Sequence, residues 1–93
     1  MPRGRRAVIA ITIYSKPGCH LCDEMKDVVT RAARGIATIE EIDITTDPDL
    51  QSRYGLEIPV LMIDGKKAAK YRVREDDLRR MLMARIGRSS GPT

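Results

Sequence analysis

Apolar residues follow one another almost without interruption in residues 7–14, and this run predicts a strand that is buried on both faces near the centre of a sheet. A polar turn separates it from residues 20–34, where apolar positions recur at helical spacing and predict a helix that Gly35 ends. The apolar positions on that helix are Met25, Val29, Ala32 and Ala33, with Ile36 one turn further along. The chain therefore opens with a strand, a turn and a helix.

A second strand and a short helix come next. Within residues 38–44, Ile42 and Ile44 alternate with Glu41 and Asp43, which predicts a strand with one wetter face. Asp47 then offers a capping carboxylate, Pro48 suits the first position of a helix, and Gly55 suits the end of one. This combination predicts a short helix between the cap and the glycine.

A hairpin is predicted in the next segment. Residues 58–63 are an apolar run led in by Pro59, which reads as a buried strand. The turn signal Asp64-Gly65 then returns the chain through residues 67–71. These residues alone leave open whether the peptide bond before the proline is cis or trans.

The final helix is predicted over residues 75–86, where acids come first and bases later, as the helix dipole favours, and Gly87 is placed to end it. Its apolar face consists of Leu78, Met81, Leu82 and Ile86. The element order is β-α-β-α-β-β-α, which predicts an α/β fold. We expect a single domain over residues 1–93, with loose tails at about 1–6 and 88–93.

The composition limits the residue types that can form the core and the kinds of partner that are expected. Hydrophobic residues make up 42% of the 93 residues, but there is no Phe or Trp and there are only three Tyr, so an aliphatic core is expected. The net charge of +4 comes largely from arginines near the two ends, and no aromatic residues interleave with them. A nucleic-acid partner is therefore not expected, and we expect a monomer.

The start of the chain joins a basic segment to an apolar run, as a signal peptide does. The run in residues 7–14 is short and rich in β-branched residues, and no small-residue cleavage site follows it. No segment approaches the length of a membrane span. With only two cysteines in the chain, these features predict a cytoplasmic protein without a membrane partner.

Cys19 and Cys22 lie where the first strand passes into the first helix. The first turn of a helix carries unpaired backbone N–H groups and the positive end of the dipole, so a thiolate placed there is favoured. A disulfide across so short a loop constrains the unfolded chain far less than the roughly 3 kcal/mol of a 15-residue loop. Reversible chemistry therefore explains the pair better than a structural staple, with Cys19 as the attacking thiolate and Cys22 as the resolving thiol.

Two residues beside the cysteines are candidates for tuning and binding. His20, when protonated, would favour the Cys19 thiolate and shift the redox poise; otherwise it is an exposed residue at a helix start. Lys16 would also favour the thiolate and meet an anionic substrate carboxylate. Asp23 and Glu24 act in the opposite direction, because their charges disfavour a second anion nearby.

A metal site is not expected. The two cysteines and His20 offer at most three ligands, and the sequence has no second Cys/His cluster to complete a tetrahedron. An iron–sulfur cluster shared by two chains, held by Cys19 and external thiols, stays open as an alternative. Tyr14 and Tyr71 are expected in the core rather than at the site, because the chain has so few aromatic residues.

The stretch Tyr-Ser-Lys-Pro-Gly-Cys-His-Leu-Cys at residues 14–22, the later Ile-Pro-Val-Leu at residues 58–61 and Asp64-Gly65 resemble the small glutaredoxin-like family of the thioredoxin-fold superfamily. The order of elements extends this resemblance over nearly the whole chain. It implies a thioredoxin-like fold, in which a mixed four-stranded sheet carries helices on both faces.

The resemblance also implies roles for individual residues. Cys19 is the nucleophile, Cys22 is the resolving thiol, and Pro59 is cis beside them. Ile58 offers its backbone to an extended substrate, and Lys16 matches the lysine of glutathione-using members. The chain departs from the family pattern between the last strand and the last helix, where residues 71–74 replace a Gly-Gly pair.

The leading functional hypothesis is a thiol–disulfide oxidoreductase of electron transport that acts on protein disulfides or glutathione mixed disulfides. No bound cofactor is expected, and glutathione is a candidate reductant or co-substrate, although the sequence does not identify the reducing system. The main alternative is a non-catalytic thioredoxin-fold module whose thiols hold an iron–sulfur cluster or a protein partner. A further alternative is a scaffold that has kept the fold for interaction alone.

Overall fold

The computed structural model describes residues 9–89, with side chains through residue 86. In order, the elements are β1 (Ile9–Ser15), α1 (His20–Ala33), β2 (Ala37–Asp43), a 3-10 turn (Ile44–Thr46), α2 (Pro48–Tyr54), β3 (Val60–Ile63), β4 (Lys66–Lys70) and α3 (Glu75–Ser89). The predicted order β-α-β-α-β-β-α is confirmed. The predicted tail at about 1–6 lies outside the described residues.

The four strands form one mixed sheet in the order β2-β1-β3-β4. β1 runs parallel to β2 and antiparallel to β3, which in turn is antiparallel to β4. The central position predicted for β1 is confirmed. Its predicted burial on both faces is correct for one face only, because Ala10 is exposed and Thr12 and Tyr14 are partly exposed.

The main core lies between one face of the sheet and the helices α1 and α3. It is entirely aliphatic, as the composition predicts, and it draws on β1, β3 and both helices. Its buried members are Ile9, Ile11, Ile13, Met25, Val29, Ala32, Ala33, Leu61, Ile63, Leu78 and Leu82. Burying these side chains supplies the main favourable term in the free energy of folding.

The opposite face of the sheet is covered by α2. The rings of Tyr14 on β1 and Tyr54 on α2 are stacked, with centroids 4.7 Å apart and planes inclined by 13°. Because alternate residues of a strand point to opposite faces, Tyr14 lies on the face away from Ile13 and the main core. Helices therefore cover both faces of the sheet, as predicted.

The helix ends follow the local signals in two cases. α1 ends at Ala33, shortly before Gly35, whose φ of 75° is typical of the residue that terminates a helix. Asp47 caps α2, since its carboxylate accepts hydrogen bonds from the backbone N–H groups of Asp49 and Leu50, at 2.9 and 3.4 Å. Both predictions are confirmed.

Two predicted boundaries are wrong by two residues or more. α3 continues past Gly87 to Ser89, so residues 88–89 are helical and do not belong to a loose tail. A glycine costs a helix only about 0.5–1 kcal/mol, and a continuing helix gains a backbone hydrogen bond at each step, so Gly87 alone does not stop it. The strand predicted from residue 58 begins at Val60, because Pro59 has no N–H to donate to the ladder.

Charged residues line both edges of the sheet. Three of the five residues of the edge strand β4 are lysines: Lys66, Lys67 and Lys70. On the other edge, β2 carries the acids Glu40, Glu41 and Asp43. A shift of register between Leu61 and Met62 also interrupts the pairing of β3 with β4. The two edges therefore carry opposite charges.

The arginines of α3 form ion pairs with neighbouring carboxylates. The pairs are Arg79 with Glu75, Arg80 with Asp77 and Arg85 with Asp64. Ion pairs at the surface contribute little to stability, because water and salt screen the attraction between the charges. They show that this basic segment forms a solvated helix face. Within the described part of the chain, no helix has the length and apolar character needed to cross a membrane.

Candidate functional site

The cysteine pair lies at the junction of β1 and α1. β1 ends at Ser15, and a turn over residues 16–18 brings the chain to the start of the helix. Gly18 has a φ of 79°, a left-handed conformation that a residue without a Cβ adopts readily. Cys19 follows it as the N-cap of α1, so the turn places the first sulfur at the amino end of the helix.

The two cysteines differ in exposure although they are bonded to each other. They form a disulfide with a Cα–Cα distance of 5.2 Å. The Cys19 Sγ also accepts a hydrogen bond from the backbone N–H of Cys22, with an N–S distance of 3.1 Å. Cys19 is partly exposed, whereas Cys22 is only 2% exposed. A molecule in solution can therefore reach Cys19, while Cys22 can be reached mainly by the neighbouring sulfur.

Ile58 and Pro59 lie at the same end of the sheet as the cysteine turn. The antiparallel pairing of Tyr14 with Val60 places the start of β3 beside the end of β1. The Ile58–Pro59 peptide bond is cis, as the resemblance implies, and Pro59 is buried. Within residues 9–89, the backbone N–H and C=O of Ile58 have no hydrogen-bond partner. They are free to pair with another chain.

Lys16 lies in acidic surroundings. It lines a cleft of about 310 Å³ beside the cysteine turn, together with the carboxylates of Asp23, Glu41 and Asp43. Its ammonium forms no ion pair with any described side chain. The structure thus places Lys16 near the cysteines but among carboxylates, which oppose the binding of an anionic group. His20 is exposed at the first position of α1.

A hydrogen-bonded cluster below the cysteine turn was not predicted from the sequence. The Ser15 hydroxyl donates to Glu41 Oε2 at 2.8 Å, and Lys26 Nζ donates to Glu41 Oε1 at 3.0 Å. Lys26 and then Ser15 lower the pKa of Glu41, and Glu41 in turn raises the pKa of Lys26. One signal was available, because Ser15 continues the buried alternation of Ile9, Ile11 and Ile13, and a buried hydroxyl needs a partner.

This cluster predicts a pH-dependent contribution of Glu41 to stability. A carboxylate whose pKa is lowered by folding stabilises the fold above its usual pKa of 4.5, and this stabilisation disappears as pH falls through the lower folded value. We expect Glu41→Gln to lower the urea midpoint at about pH 7 and to have a smaller effect at about pH 3. Glu40→Gln is the matched control, because Glu40 forms no ion pair within the described chain. Equal losses from Glu41→Gln at both pH values would contradict this assignment.

A groove of about 450 Å³ opens between α1 and the segment that joins β4 to α3. Apolar side chains line it: Met25, Val28, Val73 and Met81. Charged residues line it as well: Arg72 and Glu24, which form an ion pair at 3.6 Å, and Arg74 and Asp77. The expectation that Tyr71 belongs to the core is wrong, because Tyr71 lines this groove and is 43% exposed. The residue follows the last residue of β4 and therefore lies beyond the packed sheet. Tyr14, in contrast, is partly buried against α2.

Potential metal ligands are not clustered. Among the residues that the structure describes, no group of three or more His, Cys, Asp or Glu side chains could hold a metal ion.

Comparison with known proteins gives a consistent result. The sequence matches the Glutaredoxin-like domain (DUF836) over residues 10–83. It is 36% identical over 77 residues to the glutaredoxin-like protein YDR286C homolog of Dictyostelium discoideum, a match that covers 75% of this chain and 71% of that protein.

Solved structures show the same fold. The X-ray structure of target protein XcR50 from X. campestris has a TM-score of 0.69 and 32% identity, and the match covers 80% of this chain and 96% of that one. Chloroplastic thioredoxin z has a TM-score of 0.68 at 16% identity, with 85% and 79% covered, and it supports the fold alone. The mixed sheet with helices on both faces, the Cys19–Cys22 pair and the match over most of the sequence lead to one conclusion: the chain belongs to the glutaredoxin-like family and has the thioredoxin fold.

Proposed function

We propose that this protein is a thiol–disulfide oxidoreductase in which Cys19 attacks and Cys22 resolves. Family membership and a cysteine pair at disulfide distance support a redox-type function in general. The observation that carries the specific proposal is the difference between the two sulfurs. Cys19 is partly exposed at the amino end of α1, whereas Cys22 is buried one turn further along.

The reaction consists of two exchanges. The Cys19 thiolate attacks one sulfur of a substrate disulfide, which forms a mixed disulfide and releases the other substrate sulfur as a thiolate. The Cys22 thiolate then attacks the Cys19 sulfur, which forms the Cys19–Cys22 disulfide and releases the second substrate thiol. The substrate is reduced by two electrons and the protein is oxidised by two. An external dithiol or two thiols return the protein to the reduced state.

Neighbouring groups assist these steps. The N–H of Cys22 points at the Cys19 sulfur and would stabilise a negative charge there, as the helix dipole also does. His20, when protonated, would add to this effect and tune the poise. Ile58 and Pro59 would bind an extended substrate, because no residue in the described part of the chain pairs with the backbone of Ile58. Lys16 remains a proposed binding residue, with its acidic neighbours working against an anionic ligand.

Partners and setting follow from this chemistry. We propose protein disulfides or glutathione mixed disulfides as substrates, a monomeric protein, and a place in electron transport from an external thiol. No bound cofactor is required, and glutathione is a candidate reductant. A reducing compartment such as the cytoplasm would supply the thiols that regenerate the dithiol state.

The test is a redox titration read by mass spectrometry. The protein is equilibrated across a series of ratios of reduced to oxidised glutathione, alkylated and weighed. We expect one two-electron transition that links Cys19 to Cys22, and its midpoint gives the direction in which the protein works. Transient addition of glutathione at Cys19 would favour the mixed-disulfide route.

Two other outcomes favour different functions. If both thiols stay unmodified across the series, the oxidoreductase proposal fails and the scaffold alternative gains. If protein purified without oxygen absorbs visible light and forms a cysteine-dependent dimer, a cluster-binding module is favoured instead.

A further inference from the structure

We propose that Tyr71 is a positioning residue that selects protein disulfides over small disulfides as substrates. This inference rests on the oxidoreductase function proposed above and adds the substrate class. The backbone of Tyr71 has a φ of 71°, in the left-handed region, which is unfavourable for a residue that carries a Cβ.

The backbone around Tyr71 forms an unusually tight turn. The N–H of Arg72 donates to the carbonyl oxygen of Lys70 at 2.8 Å, so Tyr71 is the middle residue of a three-residue turn. With a positive φ at the middle position, this is the strained form of the γ-turn, which is rare. Strained backbone of this kind is concentrated at functional sites. The strain at Tyr71 therefore calls for a functional explanation.

Tyr71 donates two hydrogen bonds to the segment 56–59, one from its backbone and one from its side chain. Its backbone N–H donates to the carbonyl oxygen of Pro59 at 2.8 Å, and its hydroxyl donates to the carbonyl oxygen of Leu56 at 3.0 Å. The two acceptors flank Glu57 and Ile58. Glu57 is also held, by an ion pair with Lys67 at 2.6 Å. Ile58, whose backbone has no partner among the described residues, thus lies in a segment that these contacts hold in place.

Exposed apolar residues lie in and beside the segment that Tyr71 holds. Leu56 is 92% exposed and Tyr71 is 43% exposed, with the Lys70 ammonium 5.5 Å from the centre of the tyrosine ring. Tyr71 also lines the groove beside α1, in which Met25 and Val28 supply apolar surface. A chain that pairs with Ile58 as an added strand would direct alternate side chains onto this surface. Exposed aromatic rings of this kind are enriched at protein interfaces.

The occupant that fits is an extended, apolar segment of a protein that carries the disulfide. Such a segment supplies backbone groups for Ile58 and side chains for Leu56, Tyr71 and the groove. A small disulfide such as oxidised glutathione has no apolar side chains for this surface. Oxidised glutathione is also anionic, and the acidic residues that line the cleft around Lys16 oppose an anion there.

The test compares two substrates in single-turnover reactions. Prereduced protein is mixed with increasing concentrations of insulin or oxidised glutathione, and formation of the Cys19–Cys22 disulfide is followed by alkylation and mass spectrometry. For Tyr71→Phe we expect the half-saturating concentration of insulin to rise roughly two- to tenfold, as expected from the loss of one hydrogen bond. The limiting rate and the reaction with oxidised glutathione stay unchanged.

Tyr71→Gly is the second variant, since glycine suits the backbone at this φ. We expect a larger loss with insulin and no loss with oxidised glutathione. Tyr14→Phe is the matched control. It removes a phenol hydroxyl that has no hydrogen-bond partner within residues 9–89, and we expect it to change neither reaction.

The outcomes separate this inference from the proposed function. If reduced wild-type protein is oxidised by neither disulfide, the oxidoreductase proposal itself fails. If wild-type protein reacts but the Tyr71 variants affect both substrates equally, or neither, selection by Tyr71 is overturned. A lower limiting rate with an unchanged half-saturating concentration would also overturn it, because Tyr71 would then act on the chemical step.

Discussion

Cys19→Ser is expected to abolish disulfide exchange, with a loss of at least about a thousandfold in the rate of substrate reduction. A serine hydroxyl neither ionises near neutral pH nor forms a disulfide, so the first step has no nucleophile. The rate of insulin reduction with a constant supply of dithiothreitol measures the loss. Full activity in this variant would remove Cys19 from the mechanism.

Cys22→Ser is the matched control for that experiment. It leaves the exposed nucleophile in place and removes only the buried resolving thiol. We expect a mixed disulfide between Cys19 and the substrate to accumulate, visible as an increase in mass that a reductant reverses. If Cys22→Ser, and not Cys19→Ser, prevents the first exchange, the roles of the two cysteines are reversed.

Leu82→Ala is expected to lower the free energy of unfolding by about 2–5 kcal/mol, because it leaves a cavity in the main core. Leu82 is fully buried on α3, where it belongs to the aliphatic cluster between the helices and the sheet. A domain of this size is stable by only about 5–15 kcal/mol, so the loss is a large part of the total. Urea denaturation followed by circular dichroism measures it.

Met83→Ala, at the next position on α3, is the control for this experiment. Met83 is 58% exposed, so its truncation should change the free energy of unfolding by no more than about 0.5 kcal/mol. Similar losses from the two variants would mean that α3 does not pack through the face that carries Leu82.

Features controlled by neighbouring residues were predictable from the sequence. The Asp47 cap, the Asp64-Gly65 turn and the position of the cysteines at the start of α1 depend on residues a few positions apart. The chemistry of such short segments is largely local, and the helical periodicity of the apolar residues indicates which face of a helix is buried.

Features that join distant segments were not predictable. Ser15 and Glu41 are 26 positions apart, and their hydrogen bond exists only because β1 and β2 pair in register. Tyr71 was assigned to the core because aromatic residues are scarce, but its place depends on where β4 ends and on bonds to residues 56 and 59. Pattern alone carries no information about such contacts, since they depend on the packing of the whole fold.

The lysines on β4 affect how copies of this protein meet each other. An unpaired edge strand can accept a strand from another molecule, and this is a common route to aggregation. Two β4 edges that approached each other would bring Lys66 and Lys70 of both molecules together, and their charges would repel, whereas Lys67 is paired with Glu57. This protection should weaken in concentrated salt, because the Debye length falls from about 10 Å at 0.1 M to about 3 Å at 1 M.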